Sequence, residues 1–440
     1  MSLYANNVLQ DVQSYQASGL ALLQNMCVHL KTANTRFMNF QKEVGNLGDT
    51  ITFNLPPRLV ADQGLVASFQ AYEQRKLALT ADQSNNVSIS VTNPELVFNL
   101  ENGPEDFMNY AGRSALATLG TKVDGNIAEN WHSAVADPKT GALHTESGPY
   151  RFFGNGSSAI NSYQQIARMI MFFKNYGFSY EGLKLYFPDT IVPDIIGNGL
   201  NQFLPERNDE HYNSWQLGTW KPQNAEVFTS NIMPIHTSGN TGVDGDVLTV
   251  VSVDDPTGQN VRQIVCTGAT GSGGTDADAI KSGDVFQFKD GVSGHPDMRY
   301  LTFTGYLPSA NPVQFRATAD AASSAGTVTL TIEPGLNWAG GNGKNLNNPI
   351  AAGMQILCFP SHRCGGVLGN NALYVGMPRL PNDDPYATSN KVDEHSGVSI
   401  KLAYGAIPFQ NQRGFQFSEV HGSVIVPEQS MRMLVPLTQG

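Results

Sequence analysis

The stretch PEDFMNYAGRSALATLGTKVDGNIAENWHSAV, residues Pro104–Val135, decides how the rest of the chain is interpreted. Apolar residues recur along it at every fourth position, which is the spacing of one face of an α-helix. Proline is tolerated in the first turn of a helix, and Glu105 and Asp106 would place negative charge at its positive end. We therefore predict one helix, about 45 Å long, that is closed by Asp137-Pro138. The recurring residues are Ala111, Ala115, Leu119, Val123, Ile127 and Trp131.

Three glycines, Gly112, Gly120 and Gly125, interrupt this predicted helix. Each costs up to about 1 kcal/mol relative to alanine in a helix interior. One interpretation is a long helix in a domain core. The other is a strut that packs on more than one side and bends at its glycines, because helices kink where the hydrogen-bond ladder is weak.

Composition limits the classes of function. The chain has 440 residues, enough for two or three domains, and only 15% of them are charged. The formal net charge is −11 and there is no basic cluster. Because non-specific nucleic-acid binding requires clustered Lys and Arg, a direct DNA or RNA reader is not expected. Low charge density suits extensive protein–protein contact, since charged residues are depleted at interface cores.

The cysteines and the N-terminus predict a protein made in a cytoplasm. Four cysteines, Cys27, Cys266, Cys358 and Cys364, are too few and too scattered for a disulfide framework, and we expect reduced thiols. The first sixteen residues lack the basic and apolar regions of a secretion signal. No apolar run approaches the length of about 20 residues that a membrane span requires, so no membrane association is expected.

The first hundred residues are expected to form an arm and a hairpin. Residues 1 to about 45 are amphipathic and helical in pattern, and they either pack on their own domain or form an interaction arm. TITFNLPPR (50–58) and VSISVTN (87–93) alternate as half-buried strands do. Some thirty residues lie between them, which predicts a long projecting hairpin supported by a neighbouring molecule.

A mixed α+β domain follows the long helix. Ser157 or Ser158 is expected to cap a second helix that stops at Gly177. LKLYFP (183–188) has the pattern of a buried strand, and Pro193 to Phe203 that of a short helix. Strand and helix alternating in this way are typical of an α+β domain.

From Thr237 to about Leu336 the helical period gives way to short β-branched runs between turn residues. They predict a small all-β barrel or sandwich, inserted into a loop of the larger domain. MQILCFP (354–360) is expected to return to the first domain, and VSIKLAYGAI (398–407) and HGSVIVPEQSMRMLVPL (421–437) to complete it. The six predicted strands of the insertion are DVLTVVSV (246–253), VRQIVCT (261–267), DVFQF (284–288), RYLTFTGYL (299–307), VQFRATA (313–319) and TVTLTIEP (327–334).

No stretch carries a convincing catalytic, cofactor or metal pattern, so an enzyme is not expected. GATGSGGT (268–275) lacks the lysine of a phosphate-binding loop. Asp254 and Asp255 lie in a predicted turn without calcium-loop spacing. His362 and Cys364 would share a strand face, but no orienting acid is evident. Lys76 is either a cross-linking residue toward a neighbour's Asn or, as is more usual, a solvated lysine.

The order of these elements is distinctive: arm, hairpin, long helix, α+β domain, β insertion and β-rich return. This order resembles that of the major capsid proteins of tailed bacteriophages with the HK97-like fold, in particular the bacteriophage P22 coat protein group, which has an inserted β-barrel domain. The resemblance covers nearly the whole chain and is one of order and pattern. The stretches that carry it are GDTITFNLPPR (48–58), NNVSISVTNPELVFNL (85–100), EDFMNYAGRSALATLGTKVDGNIAENW (105–131), IARMIMFFKNYGFSYEGLKLYFPDTIVPDI (166–195), FTSNIMPIHTSGNTG (228–242), KSGDVFQF (281–288) and GTVTLTIEP (326–334).

The resemblance implies an α+β, HK97-like subunit with itself as main partner, in hexamers and pentamers of an icosahedral shell. It further implies an internal scaffolding protein, a portal protein, expansion on maturation and enclosed double-stranded DNA that is not read by sequence. Such a protein is assembled in the host bacterial cytoplasm and resides in the virion. The implied domains are an N-terminal helical arm (1–47), the extended-loop hairpin with flanking strands (48–100), the spine helix and peripheral domain (101–150), the axial domain's first part (151–236), the inserted β-barrel (237–336), the axial domain's second part (337–397) and the C-terminal peripheral strands (398–440).

Two sets of residues are assigned roles by this interpretation. Asp254 and Asp255, together with Arg75 and Lys76, are predicted to form contacts between capsomers, and the three glycines of the spine are predicted to be its hinge. Two other classes remain open. One is a carbohydrate-active enzyme with a β-barrel binding module, in which tryptophans would serve as sugar platforms. The other is a phage tail or decoration protein.

Overall fold

The computed structural model shows a mixed α+β protein with extensive sheets, some helices and a small barrel. It describes residues 27–35, 50–55, 59, 69, 75–92, 111–132, 148–177, 182–199, 225–269, 275–303, 305–340, 343–380, 388–392, 399–406 and 412–438. The chain divides into two compact units. The first comprises Met1–Thr52, Ala78–Ala128 and Leu373–Val424, and the second comprises Phe53–Leu77, Glu129–Ala372 and Ile425–Gly440.

Within the described residues, the α-helices are α1 (Val28–Thr32), α2 (Arg113–Ala128), α3 (Tyr163–Lys174), α4 (Val192–Gly199) and α5 (Asn240–Asp244). None of them has the length and apolar character required to span a membrane. The strands are β1 (Thr50–Leu55), β2 (Arg75–Thr80), β3 (Gln83–Thr92), β4 (Phe152–Phe153), β5 (Lys184–Pro188), β6 (Glu226–Ser230), β7 (Ile235–His236), β8 (Val247–Val253), β9 (Val261–Thr267), β10 (Thr275–Ile280), β11 (Val285–Phe288), β12 (Arg299–Leu301), β13 (Pro308–Pro312), β14 (Gln314–Ala317), β15 (Ala321–Ser324), β16 (Thr327–Leu336), β17 (Gln355–Cys358), β18 (His362–Leu368), β19 (Leu373–Gly376), β20 (Thr388–Val392), β21 (Ser399–Ala406), β22 (Gln412–Ile425) and β23 (Ser430–Pro436).

A helix inside the predicted stretch is confirmed as α2, and it ends earlier than predicted. A π-helical turn at residues 111–112 leads into α2, and a 3-10 turn, Glu129–Trp131, follows it. The amide of His132 donates to the carbonyl of Glu129 at 3.1 Å, so the ladder tightens before the predicted end at Val135. The predicted apolar face is buried along α2. Residues 104–110 and 133–138 lie outside the described part of the chain.

The first unit contains a five-stranded sheet. The strand order β19-β22-β21-β20 is joined by β3, which pairs with β22 in antiparallel register from Gln83↔His421 to Thr92↔Gln412. Phe415 and Phe417 alternate with less buried residues, as expected of a strand with one covered face. Helix α2 packs against β3. The predicted strand at 398–407 is therefore confirmed as β21.

The predicted hairpin has a different second strand. β1 pairs with β2, while VSISVTN belongs to β3 in the five-stranded sheet. The hydroxyls of Thr50 and Thr80 lie 3.0 Å apart across the β1–β2 pair. The prediction that 50–58 and 87–93 are the two legs is therefore wrong, because the run that includes Leu77 and Leu79 is a strand in its own right. Between residues 56 and 74, the structure describes only positions 59 and 69.

The second unit contains a six-stranded sheet in the order β4-β23-β18-β5-β6, with β7 pairing to β18. All seven residues of β23 are buried, so the C-terminal strand is central to this sheet. The strand predicted at 183–188 is confirmed as β5. The helix predicted from Pro193 begins at Val192, and its predicted end at Phe203 lies outside the described residues.

Helix α3 begins with a capping box, but not at the predicted residues. The side chain of Ser162 accepts from the Gln165 amide at 3.3 Å, and the Gln165 side chain accepts from the Ser162 amide at 3.2 Å. Ser157 and Ser158 instead donate their amides to the side chain of Asn155. The prediction of a Ser157 or Ser158 cap is therefore wrong. The helix ends at Lys174, and Gly177 follows in a left-handed conformation.

The inserted β module is a closed barrel. Each strand pairs with the next in the order β8, β9, β16, β14, β11 and β17, and β17 pairs with β8 to close the barrel. All six pairs are antiparallel. The hairpin β10–β15 extends from β16. Aromatic residues such as Phe286 and Phe315 fill the interior together with Leu330.

The composition of the barrel corrects one strand and one boundary. MQILCFP supplies β17, a barrel strand, and does not return to the first domain as predicted. RYLTFTGYL supplies only β12, which pairs with β13 in a separate two-stranded sheet. The barrel strands thus run from Val247 to Cys358, beyond the predicted limit of residue 336. The chain rejoins the six-stranded sheet at β18.

Candidate functional site

The residues considered for nucleophilic catalysis are buried and serve the fold. Nδ1 of His362 donates to the Pro360 carbonyl at 2.8 Å, and its Nε2 accepts from Nε of Arg432 at 3.0 Å. Cys364 is fully buried, and burial raises the pKa of its thiol. In the part of the chain that the structure describes, no group of three or more His, Cys, Asp or Glu side chains could hold a metal ion. These contacts favour a structural role.

The turn predicted at Asp254 and Asp255 is confirmed, and its two carboxylates shape it. Asp255 accepts from the amides of Thr257 (2.9 Å), Gln259 (3.0 Å) and Asn260 (2.9 Å). Asp254 accepts from the amides of Asp255 (2.9 Å) and Arg262 (3.2 Å). Carboxylates that bond local amides in this way are typical of turns. We call residues 254–260 the barrel loop.

Trp338 packs against the barrel loop. Its amide donates to the carbonyl of Gly258 at 2.9 Å. Gly258 has φ +73°, and a Cβ there would overlap the indole ring. Glycine is therefore required both by the backbone conformation and by the space. Pro256, Thr257 and Gln259 remain exposed, so the barrel loop is a preformed projection.

The hydrogen bonds around Asp255 predict a loop that resists acid. The Thr257 hydroxyl, followed by the amides of the loop, lowers the pKa of Asp255 from 3.8 to about 2. Because the folded pKa is the lower one, the stabilisation is complete above pH 3.8 and is lost as the pH falls through 2. We expect the Asn260 amide to stay protected from hydrogen exchange down to about pH 3. Asp255→Asn, which keeps an acceptor oxygen but does not titrate, is the control, and loss of wild-type protection already at about pH 4 would contradict the assignment.

The other residues predicted to form contacts or hinges lie in three places: the start of β2, the π-helical turn before α2, and α2 itself. Arg75 and Lys76 begin β2, and their side chains lie outside the described residues. Gly112 lies in the π-helical turn, where the α-helical ladder is interrupted. Gly120 and Gly125 lie in continuous α-helix. The structure therefore distinguishes Gly112 from the other two glycines, and the contact and hinge roles remain predictions.

Asp124 is a residue that the sequence reasoning missed. Its Oδ1 accepts from the amide of His29 at 2.8 Å, and its Oδ2 lies 3.1 Å from Nδ1 of the same residue. Both side chains are fully buried. The Cys27 thiol donates to the Gly120 carbonyl at 3.2 Å, one turn earlier on α2. Asp124 thus caps α1 and ties it to α2.

The described part of the N-terminal arm packs on its own unit. Residues 27–35 pack within their own unit, against α2 and against Tyr374, which bridges to Asn34. The rest of the arm lies outside the described residues. A signal for Asp124 was present in the sequence, because Leu116, Gly120, Asp124 and Ala128 form a second i, i+4 row in which the acid is the one charged member.

The tryptophans do not form an evident platform for a sugar. Trp131 is fully buried beside Tyr186, with ring centroids 5.7 Å apart. Trp338 packs on Gly258. Trp215 and Trp220 lie outside the described residues. Trp131 is thus inaccessible to a sugar, whereas Trp338 is half-buried.

Comparison with known proteins gave matches among solved structures. No family model and no curated protein matches this chain. The chain is similar to a structure from Ralstonia phage GP4, described as its capsid, at 8% identity and a TM-score of 0.42, covering 90% of this chain and 86% of that one. It is also similar to a structure from Mycobacterium phage Che8, at 10% identity and a TM-score of 0.41, covering 92% and 90%. A third similar structure is the capsid of cyanophage P-SCSP1u, at 9% identity and a TM-score of 0.39, covering 92% and 86%.

Proposed function

We propose that this chain is the major capsid protein of a tailed bacteriophage, with an HK97-like fold and an inserted barrel like that of the P22 coat protein group. The observation that carries the proposal is the path of the second unit. Strands β4 to β7 precede the barrel, β18 and β23 follow it, and together they form one sheet. The barrel strands thus lie between two parts of one sheet, which supports an inserted barrel of the kind that the resemblance implies. The proposal places this chain with the phage capsids named above.

The proposed assembly is a closed icosahedral shell of hexamers and pentamers. A scaffolding protein and a portal protein would take part in building it in the host cytoplasm, and it would expand when double-stranded DNA is packaged. The net charge of −11 would limit adhesion of DNA to the inner wall. The hinge at Gly112, Gly120 and Gly125 and the contact role of Arg75 and Lys76 belong to this proposal.

The barrel loop is the proposed contact between neighbouring capsomers. Its projection is rigid before any partner binds, which reduces the entropy lost on association. Asp254 and Asp255 would meet a basic residue of another copy across a local two-fold axis. Both carboxylates also accept hydrogen bonds within the loop. A charge-reversal variant alone therefore would not distinguish a lost contact between capsomers from a disrupted loop conformation.

Microscopy of the full chain tests the proposal. We expect negative-stain images of the expressed chain, alone and with its scaffolding partner, to show closed shells or open sheets. Asp254→Lys/Asp255→Lys should yield misassembled particles or tubes. Asp255→Asn should retain the conformation of the barrel loop and remove only the negative charge of residue 255. A stable monomer with a deep cleft would refute the capsid proposal and favour an enzyme. Normal shells from the double lysine variant would remove the contact role alone.

A further inference from the structure

Five polar residues converge where the barrel meets the six-stranded sheet of the second unit. They are His132, His236 on β7, Asp284 after β10, His362 on β18 and Arg432 on β23, and we call them the polar junction. The His236 and His362 rings lie 5.3 Å apart, and the His132 and His236 rings lie 5.9 Å apart. Four of the five residues are buried, and His132 is half-buried.

Arg432 connects the barrel to the six-stranded sheet of the second unit. Its guanidinium donates to Nε2 of His362, with Nη2 at 2.7 Å and Nε at 3.0 Å. The same group donates to the carbonyl of Gly283, with Nη1 at 3.1 Å and Nη2 at 3.2 Å. Gly283 belongs to the barrel turn, residues 281–284, between β10 and β11. One cation therefore holds the barrel turn against the sheet.

The protonation state of His362 is determined by its partners. The Pro360 carbonyl can only accept, so Nδ1 carries the proton, and the guanidinium can only donate, so Nε2 must be unprotonated. A proton added at Nε2 would place a donor and a positive charge directly against Arg432. Such a pair cannot keep its hydrogen bond.

We propose that the polar junction is an acid-sensitive latch: protonation of His362 displaces Arg432 and frees the barrel turn at Gly283. The charged and titratable groups that face the cluster come from every element around it. They are His132, His236, Lys281, Asp284, Arg316, Cys358, Cys364 and Arg432. Asp284 is the one carboxylate among them, so an added proton meets a largely cationic environment.

His236 has a different response from His362. Its Nε2 lies 2.8 Å from Oδ1 of Asp284, so a protonated His236 would retain an acceptor of opposite charge. Asp284 is itself held by the amides of Lys281 (2.8 Å) and Gly239 (3.1 Å). The latch therefore depends on His362, because the neighbour of its Nε2 is the cation Arg432, whereas the neighbour of His236 Nε2 is the carboxylate of Asp284.

The direction of the pH effect follows from the folded and unfolded pKa values. Burial, followed by Arg432, lowers the pKa of His362 well below 6.5, and burial lowers that of His132 to about 4. Once the turn has opened, His362 regains a pKa near 6.5, so opening takes up a proton below that pH. The stabilisation is complete above pH 6.5 and weakens as the pH falls. Opening that takes up one proton becomes about tenfold more favourable for each pH unit.

Hydrogen exchange of the full chain between about pH 7.5 and pH 5 tests the latch, after correction for intrinsic exchange. The amide of Gly283 donates to Ala317 and that of Asp284 to Lys281, so both report on the turn. Below pH 6.5 we expect their protection to fall by about tenfold per pH unit, while strand β9 stays protected. H362Q should reduce the slope, because glutamine accepts from Arg432 and does not titrate, while the lowered pKa of His132 leaves a remainder. H295Q, at a partly exposed histidine of the barrel region, should leave it unchanged.

Two results would overturn the latch. One is a wild-type turn that loses no more protection than β9 as the pH falls, and this measurement needs no variant to fold. The other is an H362Q chain with the same slope as the wild type. Neither result depends on whether the chain forms shells, so the latch and the proposed function are tested separately.

Discussion

Replacing Asp124 with alanine is expected to detach residues 27–35 from helix α2 and to lower the free energy of unfolding by about 3–5 kcal/mol. The substitution removes the acceptor of the His29 amide and the partner of its imidazole, at a site without solvent access. Breaking a buried polar pair on one side is more destabilising than replacing both members, because the remaining group keeps its desolvation penalty. Urea unfolding would measure the free energy, and limited proteolysis would show cleavage near residue 33.

Two further variants make this prediction specific. Asp124→Asn keeps an oxygen for the His29 amide and should lose less stability than Asp124→Ala. Lys122→Ala, on the exposed side of the same helix, should change stability by no more than about 0.5 kcal/mol. Equal protease resistance in Asp124→Ala and the wild-type chain would show that Asp124 does not hold the arm.

Local periodicity was sufficient to predict most elements. The four-residue repeat that includes Leu119, Val123 and Ile127 predicted the buried face of α2, and all three are fully buried. The β-branched runs predicted five of the six barrel strands. These patterns can be read from sequence because one covered face of a helix or strand imposes its period directly on the residues.

Strand pairing was not predictable in the same way. MQILCFP and RYLTFTGYL are both short apolar runs, yet β17 closes the barrel and β12 lies outside it. Which run completes a barrel depends on contacts between residues a hundred positions apart, such as Gln355↔Thr249. The β1–β2 pair was missed for a related reason, because RKLALT has little β-branched character.

The candidate site was predicted only as far as its turn chemistry. The Asp254-Asp255-Pro256 run indicates a turn by composition, and the structure confirms the turn. The polar junction has no such signature, because His236, His362 and Arg432 are far apart in sequence and become neighbours only through β18 and its partners. Sequence spacing carries no information about such a cluster until the sheet is known.

The second large effect is expected at Gly283, where alanine should lower the free energy of unfolding by about 2–5 kcal/mol. Gly283 has φ +90°, a left-handed conformation that is unfavourable for alanine by about 1–2 kcal/mol. Its added Cβ would also overlap the backbone carbonyl of His132 and come within 3.1 Å of Cε1 of His236. Backbone cannot move aside as a flexible side chain can, so overpacking adds about 1–3 kcal/mol.

Gly291→Ala is the matched control, because it separates these two contributions. Gly291 has φ +70° and nothing within 4 Å of the added Cβ, so its substitution should carry only the conformational penalty of about 1–2 kcal/mol. Urea unfolding of both variants and the wild-type chain gives the difference between their losses, which is the cost of overpacking the barrel turn against residue 132. Equal losses in the two variants would show that the turn is not pressed against His132. A larger loss at Gly283 would show that the barrel turn lies too close to His132 to accept a methyl group, in addition to the penalty of its backbone conformation.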